Sequence, residues 1–314
     1  MSTKHKLLIV GCGKHLLNTM SHHLLRLKSA ALVCCVDPIT HARHAARDLL
    51  RCGSSCAAIE EVDFSTVSAA IVATPPYASF AITNHLIERH IPVLVEKPPA
   101  MNSADIATLD EKAQRLGVRV QVGFNFRFAA AYRALRNVCE KHPPALLSCH
   151  FVSRHPASSE WGVSDPREAW LRHNGVHLLD MVRSVSGALV LTNAERTSSG
   201  EGRHLACVAL HSASTIIQVI VGNMTSGFSL GMTAILEDGR TFQMRGLGSC
   251  VEVAYPDGPV VSTLYATKSM DDGWDRLGYG AELDAFLSDD PNIERPNLGD
   301  ALNASLMCDA LCRE

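Results

Sequence analysis

Short apolar runs alternate with stretches of helix length over the first 124 residues, and this rhythm leaves few architectures open. Lys6-Leu7-Leu8-Ile9-Val10 reads as a buried strand and residues 14–27 as a helix. A second strand at 31–36 (Ala-Leu-Val-Cys-Cys-Val) runs into a helix that ends near Arg51. A third strand at 69–72 stops at Pro75-Pro76, a helix over 78–89 leads into a strand at 92–95, and a helix over 103–116 leads into 118–122. Strands that are apolar throughout and separated by helices form a parallel sheet covered on both faces.

The pattern changes after Phe128. A helix over 129–141 and a strand at 146–152 come first, then a loop rich in Pro, Ser and Trp over 155–167 and a helix over 170–184. Strand candidates at 189–193, 204–211, 215–223, 228–236, 241–245 and 250–255 follow without intervening helices, and turns such as Glu237-Asp238-Gly239 and Pro256-Asp257-Gly258 divide them. Helices over 281–288 and 298–311 end the chain. The expected fold is α/β: a doubly wound parallel Rossmann sheet over 1–124, then an α+β domain over 125–314 with an open, mostly antiparallel sheet. A chain of 314 residues exceeds what one core usually takes, consistent with two domains. The uncovered face of the second sheet is a candidate surface for a homodimer or homotetramer.

Lys+Arg 29 against Asp+Glu 32 gives a net charge of −3, so no strong field draws nucleic acid or an anionic membrane. Four apolar residues before Gly11 are too few for a signal-peptide core, and no apolar run approaches membrane-spanning length; the expected location is cytoplasmic. The 11 cysteines include no Cys-x-x-Cys, and the pairs Cys52/Cys56 and Cys308/Cys312 are read as reduced thiols rather than metal ligands.

Gly11-Cys12-Gly13-Lys14-His15-Leu16 lies between the first strand and first helix and carries the first two glycines of the dinucleotide fingerprint. Gly11 would make the tight turn. Gly13 would let a pyrophosphate approach the helix N-terminus, where Lys14 and His15 follow. Leu16 replaces the third glycine. These glycines alone also fit an ordinary strand–helix turn. Asp37, at the end of the second strand and 24 residues beyond Gly13, suits adenosine ribose hydroxyls and repels a 2′-phosphate, favouring NAD; Lys14 and Arg43 keep NADP open.

Three segments follow the next strands in order: Ala73-Thr74-Pro75-Pro76, Glu96-Lys97-Pro98-Pro99 and Gly123-Phe124-Asn125-Phe126-Arg127-Phe128. With these motifs the chain resembles the Gfo/Idh/MocA oxidoreductases, strongly over the first 130 or so residues and more weakly beyond. The resemblance implies a nicotinamide lying between two domains, with Thr74, Pro75, Glu96, Lys97 and Asn125 joining the cofactor site. It also implies that Lys97 hydrogen-bonds or deprotonates the reacting hydroxyl. Independently, a lysine at the carboxyl end of a strand in a doubly wound sheet stands where ligands bind. Partial burial beside a cationic ring would lower its pKa.

The family's Asp-x-Gly-x-His corresponds here to His173-Asn174-Gly175-Val176-His177, with His173 in place of the aspartate and Asp180 three residues further on. Loss of that negative charge is expected to ease deprotonation of Lys97. His177 then becomes the main acid/base partner and His173 a catalytic or substrate-contacting group. Arg127 and Arg172 would make the site more positive and admit an anionic substrate group. Trp161 and Trp170 flank the loop, where each could stack on a sugar or cyclitol ring or serve as core or hinge packing. Two readings compete for the histidines: satisfied polar groups at a helix start, and a zinc site with Asp180, which the metal-free chemistry of the family disfavours. The expected function is hydride transfer to or from a hydroxyl, carbonyl or imine carbon of a sugar, cyclitol or similar small polar molecule. The alternatives are an NAD-dependent glycosidase working by transient oxidation and a non-catalytic dinucleotide sensor.

Overall fold

A computed structural model describes residues 5–154, 161–199, 202–255, 258–267 and 275–313. Residues 1–4, the 155–160 part of the Pro/Ser/Trp loop, and Pro256-Asp257 of the second turn lie outside the described residues. The chain forms two compact units, Met1–Phe124 with Tyr279–Leu302, and Asn125–Gly278 with Asn303–Glu314.

The first unit runs β1 (His5–Val10), a π turn at Leu16–Met20, α1 (Ser21–Leu24), β2 (Ala30–Val36), α2 (Thr40–Leu50), β3 (Ser54–Cys56), β4 (Ala69–Val72), α3 (Pro76–Glu88), β5 (Val93–Val95), α4 (Ser103–Leu116) and β6 (Val120–Val122). The strands order as β3-β2-β1-β4-β5-β6, all parallel, the doubly wound arrangement. Leu7, Leu8, Ile9, Ile71, Val72, Val93 and Val95 are fully buried, as central strands covered on both faces require. Local chemistry sets the helix ends: Asn102 caps α4 by accepting from the Asp105 N–H at 2.8 Å, and Gly117 ends it in the left-handed conformation.

The second unit begins with a 3-10 turn at Asn125–Phe128, then α5 (Ala130–Lys141), β7 (Pro144–Ser153), α6 (Pro166–Trp170), a π turn at Leu171–Gly175 and α7 (Val176–Ser186). β8 (Val190–Ser199), β9 (Arg203–His211), β10 (Ile216–Gly222), β11 (Phe228–Leu236), β12 (Thr241–Arg245), β13 (Ser249–Val253) and β14 (Val260–Ala266) complete the sheet. Its order is β14-β13-β12-β11-β7-β10-β9-β8. β7 pairs parallel with β10 and every other ladder is antiparallel, so the sheet is mixed. α5 and α7 pack on one face, where Leu147, Cys149, Phe151, Val208, Leu210, Ile217 and Val219 are buried. On β9 and β10 the alternate residues, Cys207, Ala209, Ile216 and Gln218 among them, are exposed.

The chain returns to the first unit with α8 (Tyr279–Leu287) and the start of α9 (Leu298–Arg313). The Val122 N–H donates to the Pro296 carbonyl at 2.8 Å, and Gln121 Nε2 donates to the Glu282 carbonyl at 3.2 Å, so this segment closes the β6 edge.

Two expected helices are corrected, and two edge strands and one parallel pairing add to the expected pattern. The helix expected over 14–27 opens with a π turn and continues as the short α1, and that over 170–184 is α6 and α7 joined by a second π turn. β3 and β14 escape the pattern because both are edge strands: Ser-Ser-Cys carries no apolar alternation, and β14 is mostly exposed on both faces. The parallel β7–β10 pair arises because α6, α7, β8 and β9 intervene before β10 returns beside β7.

Gly11 marks the point where the doubly wound sheet reverses direction. Its φ is +93°, and a Cβ there would stand 2.6 Å from the Ala73 carbonyl oxygen and 2.8 Å from Thr74 Cγ2, whereas a Cβ on Gly13 would meet nothing within 4 Å. Gly11→Ala is therefore expected to destabilise the protein by about 2 kcal/mol or more in urea unfolding. Gly13→Ala should stay within about 0.5 kcal/mol of wild type. Equal effects at the two glycines would contradict this assignment.

Candidate active site

In the first unit, the loops after β1, β2, β4 and β5 carry the residues singled out from the sequence. The Cys12 N–H donates to Asp37 Oδ2 at 2.8 Å and the Ile39 N–H to Asp37 Oδ1 at 2.8 Å, which fixes that carboxylate at the end of β2. Arg43 Nη1 turns to the carbonyls of Asp37, at 3.4 Å, and Pro38, at 3.2 Å. Lys14 is exposed at the start of the first helix, and Pro75 precedes α3. Thr74 Oγ1 bonds Ser79 Oγ at 2.9 Å. These residues fit a dinucleotide: a turn only glycine can make, open space above Gly13, and an oriented carboxylate at the second strand end.

Lys97 follows β5 and is half-buried. Beside it, His15 Nε2 meets Glu96 Oε1 at 3.0 Å, with the His15 side chain 41% exposed and Glu96 12%. Surrounding protein disfavours a charged His15, but the charge and hydrogen bond of Glu96 outweigh this and raise its pKa, with Lys97 opposing. Glu96 feels a desolvation that would raise its pKa; the charge and hydrogen bond of His15, together with Lys97, hold it below the ordinary value. Gly123 makes room for this carboxylate, since a Cβ there would lie 3.0 Å from Glu96 Oε2. His15 and Glu96 thus pair with each other.

Beneath this pair lie groups that the sequence reading missed. Tyr279 stacks against His23 and tilts against His15, with centroids 6.2 and 5.8 Å apart. Glu282 on α8 is fully buried. Burial, and then the charge of Glu96, push its carboxyl well above the ordinary range, in the direction that favours the neutral acid. Its only sequence signal is a lone Glu among the apolar residues of α8, and its place beside Glu96 depends on a contact some 190 residues long-range that no local pattern encodes.

In the second unit, His177 is buried and stacks on Phe126, with centroids 4.4 Å apart and rings 27° from parallel. His173 is half-buried in the π turn, and the Trp161 ring meets it edge-on at 5.0 Å. π turns inside helices often occur at functional sites, and the described residues place one at each helix that carries candidate site residues. Asn125 Nδ2 donates to the Leu277 carbonyl at 2.8 Å.

Three residues expected at the substrate are engaged by other side chains. Arg127 is buried in a two-pronged ion pair with Asp180, Nε to Oδ2 at 2.6 Å and Nη2 to Oδ1 at 2.5 Å. Removing one partner of such a pair costs about 3–5 kcal/mol, so Arg127 anchors the 3-10 turn to α7. Arg172 bridges Glu168 at 2.7 Å and Asp309 at 2.8 Å. Trp170 is fully buried, donates from Nε1 to Ser153 Oγ at 2.9 Å, and packs edge-on against Phe151, so its ring is core. Both arginines are thus paired with carboxylates, and both Asp180 oxygens serve Arg127. Among the described residues no group of three or more His, Cys, Asp or Glu side chains could hold a metal ion.

Residues 5–124 match the model of the oxidoreductase family with an NAD-binding Rossmann fold, Gfo/Idh/MocA. Inositol 2-dehydrogenase 1 of Paenarthrobacter aurescens strain TC1 is 25% identical over 84% of this chain and 77% of its own length. The crystal structure of a dehydrogenase from Chromobacterium violaceum superimposes with a TM-score of 0.87 at 18% identity, covering 100% of this chain and 95% of that one. An oxidoreductase from Agrobacterium radiobacter, solved with NAD+, L-tartaric acid and magnesium, gives 0.77 at 17% identity over 98% of this chain and 95% of that one. Residues 5–124 thus carry the NAD-binding domain of the Gfo/Idh/MocA family.

The matched domain is the NAD-binding Rossmann fold of an oxidoreductase family, so NAD is the cofactor that these residues fit. Among the described residues no helix is long and apolar enough to cross a membrane.

The raised Glu282 carboxyl has a measurable signature. Its folded pKa lies above the ordinary 4.5, so folding gains nothing from it at low pH and loses stability as pH climbs above 4.5 and the unfolded carboxyl ionises. Glu282→Gln is expected to raise the melting temperature at pH 8 and to lose that advantage near pH 4. A constant difference across this range would show that Glu282 is ionised in the fold.

Proposed function

We propose that the protein is an NAD-dependent dehydrogenase of a neutral cyclitol or related cyclic polyol, with Lys97 and His177 as its acid/base groups. The observation that carries this reading is the position of Lys97, directly after β5 at the carboxyl edge of the parallel sheet and next to the Glu96–His15 pair. Ligands of doubly wound sheets bind at that edge. NAD, when bound, accepts the hydride. Lys97 supplies a hydrogen bond to the reacting oxygen, and His177, held by the face of Phe126, takes its proton. His173 contacts substrate in place of the family aspartate. Neutralisation of Arg127 and Arg172 supports an uncharged substrate, and the inositol 2-dehydrogenases among the relatives support a cyclitol.

The eleven free cysteines suit a reducing compartment, which supports a cytoplasmic location. The outer face of the second sheet, with Ile216 66% and Val190 50% exposed, supports a homodimer or homotetramer. Light scattering at the monomer mass would remove that part of the reading.

Screening neutral cyclitols and sugar phosphates at the nicotinamide absorbance band tests the function. We expect net reduction of NAD with a neutral cyclitol, and a fall in kcat of about 100-fold or more for His177→Ala with NAD affinity retained. Release of sugar from a glycoside without net reduction, or near-normal turnover by His177→Ala, would overturn the proposal.

A further inference from the structure

Five cysteines gather around the end of β2. Cys35, in β2, is fully buried, and its Sγ lies 2.8 Å from Sγ of Cys52, at the turn between α2 and β3. Cys34 and Cys56 make a looser pair at 3.6 Å. Cys12, inside the Gly11–Gly13 turn, donates from its thiol to the carbonyl of Val36, the residue after Cys35, at 3.7 Å and from its backbone N–H to Asp37 Oδ2 at 2.8 Å. One line of contacts therefore runs from Cys52 to Cys35, along β2 to Val36, and through Cys12 to Asp37.

We propose that Cys35 and Cys52 are a thiol modification site, closing to a reversible disulfide under hydrogen peroxide, and that closure weakens NAD binding. The effect on NAD rests on the reading of Gly11, Gly13 and Asp37 as its site; the cross-link does not.

The geometry favours bonding. A disulfide needs sulfurs about 2.05 Å apart, so the pair must close by less than an ångström. The turn provides access: Cys52 is 8% exposed and stands between Arg51 and Gly53, both exposed. Cys52, at the turn and the more exposed of the two, is the thiol that peroxide reaches, and the fully buried Cys35 is the resolving thiol.

The chemistry balances with peroxide as the oxidant. The Cys52 thiolate attacks one peroxide oxygen, the O–O bond breaks, and the departing hydroxide takes a proton to become water. The Cys35 sulfur then attacks the Cys52 sulfenic acid, forming the S–S bond and expelling the hydroxyl group, with the Cys35 proton, as a second water. Two thiols lose two electrons and peroxide becomes two waters. Closure draws Cys35 towards Cys52 and pulls on the neighbouring Val36, whose carbonyl the Cys12 thiol meets, at the strand end where the Cys12 N–H holds Asp37.

The test is to treat the folded protein with hydrogen peroxide, block remaining thiols, map cross-linked peptides by mass and measure NAD affinity by calorimetry before and after. We expect a Cys35–Cys52 peptide, a rise of about fivefold or more in the NAD Kd, and reversal of both by dithiothreitol. Cys52→Ser should form no such cross-link and keep its NAD affinity under peroxide. Mapping the wild-type protein decides the cross-link even if the variant folds poorly. Oxidation confined to other cysteines, such as the exposed Cys207, would overturn the proposal, as would a cross-linked protein with unchanged NAD affinity. Reduced Asp37→Ala separates the two readings: if it binds NAD as wild type does, the site assignment fails, whereas if it loses NAD while cross-linking has no effect, only this inference fails.

Discussion

The close approach of Gly11 to the backbone of Ala73 organises the first unit. β1 and β4 are neighbours whose following helices diverge, and the backbone after β1 must turn within contact distance of the loop after β4. Only a residue without Cβ can do this at a φ of +93°. The turn sets the Cys12 N–H against Asp37 and starts the first helix with open space above Gly13. The same helix start carries His15 across to Glu96, so the loop after β1 and the end of β5 become one charged cluster beside Lys97. Burial, and then the Glu96 charge, raise the Glu282 carboxyl well above the ordinary carboxylate range.

The second unit orders its polar groups by a different device. The buried Arg127–Asp180 pair ties the turn that opens the unit to the middle of α7, and that turn also carries Phe126, against which His177 stacks. An arginine that looks like a substrate anchor in the sequence is thereby a structural brace. The histidine beside it gains a fixed ring plane, the orientation that an acid/base group needs.

Much of this was legible in the sequence because it depends on local periodicity and turn chemistry. Apolar strands separated by helices gave the parallel sheet, and Gly11, Gly13, Asp37 and Lys97 could be placed at strand ends by counting alone. What escaped has a common cause. β3 and β14 lie at sheet edges, where burial imposes no pattern. The partners of Arg127, Arg172 and Trp170 are reached only by folding, so their exposure and charge balance were invisible beforehand. Glu282 and the Cys35–Cys52 contact are likewise products of tertiary packing. The π turn at Leu16–Met20 falls where the fingerprint's third glycine is replaced by Leu16, a substitution the sequence displays but whose effect on the helix it does not.

The account turns on Lys97 acting at the reacting oxygen of a substrate oxidised by NAD. The most direct test is a single turnover with a cyclitol deuterated at its hydroxyl-bearing carbons, comparing wild type with Lys97→Met at saturating NAD. Wild type is expected to place deuterium in the reduced cofactor, and Lys97→Met, at saturating NAD, to slow that transfer about 100-fold or more. Transfer by Lys97→Met at the wild-type rate would contradict it.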